Sequence, residues 1–326
     1  MIYLEFLEGQ GLGNQLWNYV TLRALSKELG FDYRVIYPEK FKGKDFLDIS
    51  YSNTNNLQGY GEEFPLKSIF NERLYYDNHL KAFISDFDNQ ILSIKSNTII
   101  RGLFQSEKYL FNNDINEFIK VKTTYKEKYR SNKNRCLLNI RGGEYKRFKN
   151  LILPKSYWLN AVRNMKLHND KLTFAIITDD YSYASKLLPD LEIIKGNSSD
   201  DFFNILHATY LIVSNSSFSY FPIGLGQKPK KIIAPAHWAR FGNNEKKWIS
   251  PCNYYKNWSY QNKEGNLISN KVAENSIKKT MAIYSKYYIL ASQESLYRKN
   301  IYSLFPKSFR KIIKKFLSKF LPLHIG

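Results

Sequence analysis

The feature that most constrains this chain is a run of short apolar segments, each of which ends in a polar or glycine-rich cluster. Residues 2–8 alternate apolar and polar, read as a first strand and lead into Gly9, Gly11 and Gly13; the later segments are continuous apolar runs. Cys136 to Ile140 ends in Arg141-Gly142-Gly143, and Thr173 to Thr178 ends in Asp179-Asp180. Tyr210 to Ser214 ends in Asn215-Ser216-Ser217, and Lys231 to Ala234 ends in Pro235. Segments that are apolar throughout, with helical stretches between them, specify parallel strands covered on both faces. Doubly wound α/β domains bind ligands at the carboxyl ends of such strands.

The opening unit is strand, glycine turn, helix. From Gln15 to about Leu29 the residues Leu16, Tyr19, Val20, Leu22 and Leu25 recur at helical spacing, and Gly30 stops the helix as a left-handed cap. Residues 98–104 read as a strand running into a loop, and residues 105–130 read as helical and highly charged. The polar stretch around 125–135 marks the boundary between two units. The expected division is 1–130, 131–285 and a helical tail over 286–326.

Composition excludes several classes. The net charge of +20 over 326 residues implies a partner with phosphates or an anionic surface. No zinc-finger, homeodomain or RNP pattern accompanies that charge, so nucleic acid is not the expected partner. Two lone cysteines, Cys136 and Cys252, make no disulfide framework and fit a reducing compartment. The five histidines are scattered without HExxH or CxxC spacing, so no metal site is expected. The N-terminus is too short and acidic before its first glycine for a signal peptide, and no 18-residue apolar run occurs. A cytoplasmic enzyme is expected.

Three constellations carry the chemistry. Gly11, Gly13, Asn14 and Gln15 open the first helix, where glycine lets backbone approach a ligand and the helix start favours an anion. Asn139 and Arg141 sit at a strand end beside Gly142-Gly143 and Glu144, an arrangement suited to gripping phosphate oxygens, although taken alone it reads more readily as a surface turn with a solvated Arg. Asp200-Asp201 precede Asn215-Ser216-Ser217-Phe218-Ser219, whose hydroxyls and amides offer further donors. Asp179 and Asp180 close another strand, where a helix cap is the alternative reading. Asp86-Phe87-Asp88 mimics a metal-binding DxD, with an exposed acidic loop as the alternative.

Together these pieces resemble glycosyltransferase family 11, the α-1,2-fucosyltransferases. The opening resembles that family's motif in Gly11-Leu12-Gly13-Asn14-Gln15, and Gly102-Leu103-Phe104-Gln105-Ser106-Glu107-Lys108-Tyr109 resembles its mid-chain signature. Residues 139–145 are similar to its donor motif, 178–180 to its Ser-Asp-Asp, and 215–219 to its Asn-Ser-Ser-Phe-Ser. Asn139, Gly142 and Glu144 depart from the usual histidine, arginine and aspartate. The resemblance implies a GT-B architecture of two Rossmann-like domains facing a cleft, and a GDP-sugar donor held mainly by the second domain. It implies no essential metal or other cofactor, and inverting transfer of L-fucose to an oligosaccharide or lipid-linked glycan. Arg141 and the donors of 14 and 215–217 then stabilise the leaving diphosphate, with Glu8 and Glu144 as candidate bases. Colitose or another GDP-6-deoxyhexose is the alternative donor. A DxD enzyme using Asp86 and Asp88, or a non-catalytic carbohydrate-binding scaffold, is the alternative to the whole reading.

Residues 307–321 carry Phe309, Ile312, Ile313, Phe316, Leu317, Phe320 and Leu321 on one helical face and only basic charges elsewhere. This pattern predicts a helix lying on an anionic membrane surface, with a helix docked on its own domain as the alternative; the first reading would place the chain peripherally on the inner face of the cytoplasmic membrane, where O-antigen or capsule units are assembled.

Overall fold

The computed structural model describes residues 1–53, 68–77, 82–122, 132–147, 151–236, 238–239, 247–249, 254–269, 271–279 and 281–286. The boundary expected near residue 130 falls largely outside these residues, as do the basic helix of 307–321 and Cys252.

The first unit is built on β1 (Ile2–Glu5), the helix α1 (Leu12–Leu29) and β2 (Tyr33–Ile36). A parallel sheet runs β2-β1-β7-β4, where β4 is Ser68–Asn71 and β7 is Thr98–Arg101. Helix α1 ends as its sequence dictates, with Gly30 left-handed at φ 64° and its N–H bonded to the Ser26 carbonyl.

The second unit has a seven-stranded sheet whose first five strands run β11-β10-β9-β12-β13. These are β9 (Arg135–Ile140), β10 (Thr173–Thr178), β11 (Glu192–Ile193), β12 (Tyr210–Val213) and β13 (Lys231–Pro235). All five are parallel. Helices α2 (Lys155–His168), α3 (Tyr181–Leu187), α4 (Ser198–Leu206) and α5 (Tyr220–Leu225) connect them. The chain winds outward from β9 through β10 to β11, then crosses back to β12 on the other side of β9. The switch point therefore lies between the carboxyl ends of β9 and β12, which is where a doubly wound sheet opens a crevice. Side chains of β9 alternate: Cys136, Leu138 and Ile140 join the core beneath α2, and Leu137 joins the core toward the first unit.

That second core is shared. Helix α1 is buried on nearly every face, because the second unit packs on the side its own sheet leaves open. Trp17 stacks on Tyr255 at 5.8 Å and meets Tyr220 at 4.3 Å, and Phe46 meets Phe202 at 5.2 Å. One apolar cluster runs from Ile2 to Tyr260 across both sheets.

Two expectations are corrected here. Residues 105–130 are not a helix over their described part. They form short 3₁₀ turns at Glu107–Leu110 and Ile115–Glu117 and the strand β8 (Ile119–Val121), which pairs antiparallel with β3 (Leu47–Ile49). Phe111 and Asn112 are left-handed, which breaks any continuous helix between the turns. Asp86-Phe87-Asp88 is not an exposed acidic loop. Asp88 is fully buried, holds the Arg73 guanidinium with both oxygens and caps the next turn, and Asp86 is buried against Lys108 at 2.9 Å.

Candidate active site

The carboxyl ends of the strands in the two units face one cleft of about 640 Å³. The first unit contributes Gly11, Gly13 and Asn14 from the turn after β1, Leu103 and Gln105 from the segment after β7, and Lys42. The second contributes Asn139, Arg141 and Glu144 after β9, Asp179 after β10, and Asn215 to Phe218 after β12.

Asn14 ties three of these segments together. Its Oδ1 accepts from Gln105 Nε2 at 2.7 Å and from Ser217 Oγ at 2.8 Å. Both lone pairs are used, so its amide N–H groups are what it can offer a ligand. Gly13 makes that crossing possible. A Cβ there would stand 2.6 Å from the Phe218 nitrogen and the Ser217 carbonyl carbon, so the first turn of α1 lies directly on backbone of the second unit.

Arg141 is held by two carboxylates. Its guanidinium meets Asp179 Oδ2 at 2.7 Å and Glu144 Oε1 at 3.4 Å, and lies 5.4 Å from the Tyr145 ring centroid. Asp179 also accepts from the Gly142 N–H at 2.8 Å, which locks the ends of β9 and β10 together. Gly142 and Gly143 follow because side chains there would strike Asp180 and Asp179, and Gly143 has a φ of 36°. The long Glu144 contact is the weaker one and is the one an incoming anion can replace.

Asp201 also lines the cleft, from the first turns of α4. It is 8% exposed, and among the described residues no group donates to its carboxylate. Burial, aided by the charges of Asp179 and Asp200, pushes its carboxyl up to about 7 against the pull of Arg141. Asn215 adds a second acceptor without a partner: its Nδ2 donates to the Leu151 carbonyl while its buried Oδ1 is unpaired. This wall calls for a ligand that brings donors.

Several expected site residues have other work. Gln15 is fully buried and bonds the Lys40 carbonyl and the Lys42 N–H, both at 2.9 Å. Asp180 caps α3 through the Tyr183 N–H and pairs with Lys146, whose ammonium holds that carboxyl below its usual range. Ser219 is fully buried and donates to Asn139 Oδ1 at 2.9 Å. Glu8 lies exposed in the turn after β1 and is not among the residues of the cleft wall. The cleft gathers Gly11, Gly13, Asn14, Asn139, Arg141, Glu144, Asp179, Asn215, Ser216, Ser217 and Phe218. Sequence reasoning missed Lys42 entirely. It noted Asp201 only as half of an acidic pair. The signal that could have separated the pair is the Asn197–Asp200 capping box, which commits Asp200 to the helix start and leaves Asp201 for the interior.

Among the described residues no cluster of His, Cys, Asp or Glu could hold a metal ion, and no helix is long and apolar enough to cross a membrane.

No family model matches this chain, and no curated protein matches it. Among solved structures it is similar to the fucosyltransferase NodZ from Bradyrhizobium, at 14% identity and a TM-score of 0.40, over 70% of this chain and 96% of that one. A variant of Arabidopsis thaliana FUT1 in complex with GDP is similar at 11% identity and a TM-score of 0.43, over 74% and 71% of the two chains. The E. coli heptosyltransferase WaaC with ADP is similar at 10% identity and 0.39, over 86% and 99%. The fold is GT-B-like: two parallel α/β units whose strand ends face a common cleft.

Proposed function

We propose that this chain is a glycosyltransferase that takes a GDP-sugar as donor. The observation that carries the reading is the meeting, in one cleft, of a strand-end arginine, a glycine turn with Asn14, and the Ser216-Ser217 turn at the switch point of the second sheet. Those are donors for a diphosphate. Asp201 supplies an acceptor beside them. The edge of guanine that carries N1–H and the 2-amino group presents two adjacent donors, which one carboxylate can accept together. Uracil presents a single N–H flanked by carbonyls. A cleft-lining carboxylate such as Asp201 complements that guanine edge better than it does uracil, which favours GDP over UDP.

Transfer proceeds with an acceptor hydroxyl attacking C1 of the sugar. The C1–O bond to the diphosphate breaks, its electron pair stays on the β-phosphate oxygen, and the hydroxyl proton passes to a base. Arg141, Asn14 and the donors of residues 216–217 meet the charge that develops on the leaving group. Glu144, a carboxylate of the cleft wall whose contact among the described residues is the long one to Arg141, is the proposed base. The family resemblance supports L-fucose or a close 6-deoxyhexose as the sugar, inversion at C1, an α-1,2 linkage, an oligosaccharide or lipid-linked acceptor, and no metal requirement.

A donor panel tests this. GDP should raise the melting temperature, and a GDP-6-deoxyhexose should be consumed while UDP-sugars are not. Arg141→Ala should fold normally and lose at least about 100-fold in transfer. Equal use of UDP-sugars, or full activity in that variant, would refute the assignment.

The basic, amphipathic sequence of 307–321 supports placement on an anionic membrane surface. Flotation with anionic liposomes should be lost on truncation after Phe305. Equal flotation of both forms would assign that segment a structural role.

A further inference from the structure

The burial of Gln15 raises the question of what its clamp is for. Its side-chain amide receives the Lys42 N–H and donates to the Lys40 carbonyl, as a neighbouring strand would. The clamped segment follows β2 and presents Lys42 to the cleft. Its neighbour Lys40 does not serve there, since its ammonium lies 4.1 Å from the Tyr37 ring centroid.

The charges of the cleft wall give this lysine a purpose. The wall holds two cations, Lys42 and Arg141, and three carboxylates, Glu144, Asp179 and Asp201. Arg141 is already shared between Asp179 and Glu144. Among the described residues no carboxylate pairs with Lys42. A nucleoside diphosphate sugar brings one negative charge on each phosphate, and the leaving diphosphate gains another as the sugar departs. A guanidinium flanked by two carboxylates does not balance that charge alone.

We propose that Lys42 is a second diphosphate-binding cation, reaching from the first unit across the cleft from Arg141, and that Gln15 is its positioning residue. The inference rests on the GDP-sugar reading and deepens the same site. Lys42 meets the β-phosphate, where charge grows during transfer, so its contribution is larger in the transition state than in the bound donor. Gln15 acts at one remove, by fixing the backbone from which Lys42 extends.

The test compares GDP with GMP by calorimetric titration of the intact chain. Lys42→Ala should weaken GDP roughly tenfold and leave GMP within about twofold, because GMP lacks the β-phosphate. Its kcat should fall more than its KM rises, and Lys42→Arg should recover most of both. Gln15→Glu, which replaces the donor to the Lys40 carbonyl with a charge, should show the same GDP-selective loss to a smaller degree at an unchanged circular dichroism spectrum. A parent chain that binds neither nucleotide defeats the GDP-sugar reading itself. Undiminished GDP affinity in Lys42→Ala, with the parent binding normally, defeats the Lys42 assignment alone. Equal losses for GDP and GMP also defeat it, since they would place the effect on the nucleoside or the fold.

Discussion

At the scale of single residues, Asp201 is the group whose chemistry the fold changes most. An unfolded aspartate titrates near 3.9, whereas here burial raises the carboxyl to about 7. The folded state therefore binds this proton more tightly than the unfolded chain between those two values. Stability is fully present below the lower one and is lost as pH rises through the upper. A difference of about three units corresponds to a ceiling of about 4 kcal/mol at pH 8. Asp201→Asn should consequently be more stable than the parent at pH 8 by about 2 kcal/mol and no more stable at pH 4, by chemical denaturation at both values. The same substitution should flatten the part of the pH dependence of GDP affinity that lies near pH 7, leaving that of the terminal phosphate of GDP, which titrates at about 6. A variant no more stable than its parent at pH 8 would show that the site tolerates the charge. The Asn197–Asp200 capping spacing separates the two acids in the sequence, but the burial that raises Asp201 is set by tertiary packing that no local pattern carries. Arg141 and Asn14 were legible because each stands beside glycines at a strand end. Asp180 and Ser219 stood in the same kind of motif, and their hydrogen bonds went to the protein instead.

Elements with strong local signals were read correctly, and elements set by distant partners were not. Helix α1 and strands β9, β10, β12 and β13 carry their own punctuation in Gly30, Arg141, Asp179, Asn215 and Pro235. The stretch after residue 105 carries charge without it. Its two turns start from Ser106 and Asp114 caps, and β8 exists because β3 lies alongside it, 70 residues away in sequence. The segment 82–88 was also opaque. Nothing local says that Asp88 will be sealed beneath Arg73, or that Tyr284, from the far end of the described chain, will donate to the Arg73 carbonyl at 3.1 Å. This arrangement separates a structural acid from a metal ligand. Asp88→Asn leaves the partly exposed Arg73 guanidinium without its counter-charge and should cost about 1–3 kcal/mol in denaturant unfolding. Transfer per folded molecule should be retained, with or without EDTA. Loss of transfer in a variant that remains folded, together with EDTA sensitivity of the parent, would restore the DxD reading.

At the scale of the whole molecule, sequence punctuation suggests two domains, and one apolar cluster spans both units while a second lies beneath α2. Helix α1 belongs to the first sheet by connection and to both units by burial. Its buried polar positions Gln15, Asn18 and Thr21 fit this double contact better than an ordinary amphipathic helix with one wet face. Trp17 is the centre of the joint, in ring contact with Tyr220, Phe221 and Tyr255 of the second unit. Phe46 and Phe203, whose ring centroids lie 5.8 Å apart, extend the joint away from α1. Two units joined this way cannot expose their shared faces one at a time without losing the same apolar contacts twice. The chain should therefore unfold in a single calorimetric transition, with calorimetric and van't Hoff enthalpies in agreement. Trp17→Ala should lower stability by about 3–5 kcal/mol and move that one transition as a whole. Two resolved transitions in the parent, with only the first-unit transition shifted by Trp17→Ala, would show that the joint is a docking of independent domains. In that case the cleft could open by hinging about α1, and the Asn14–Ser217 bond would be the contact that breaks.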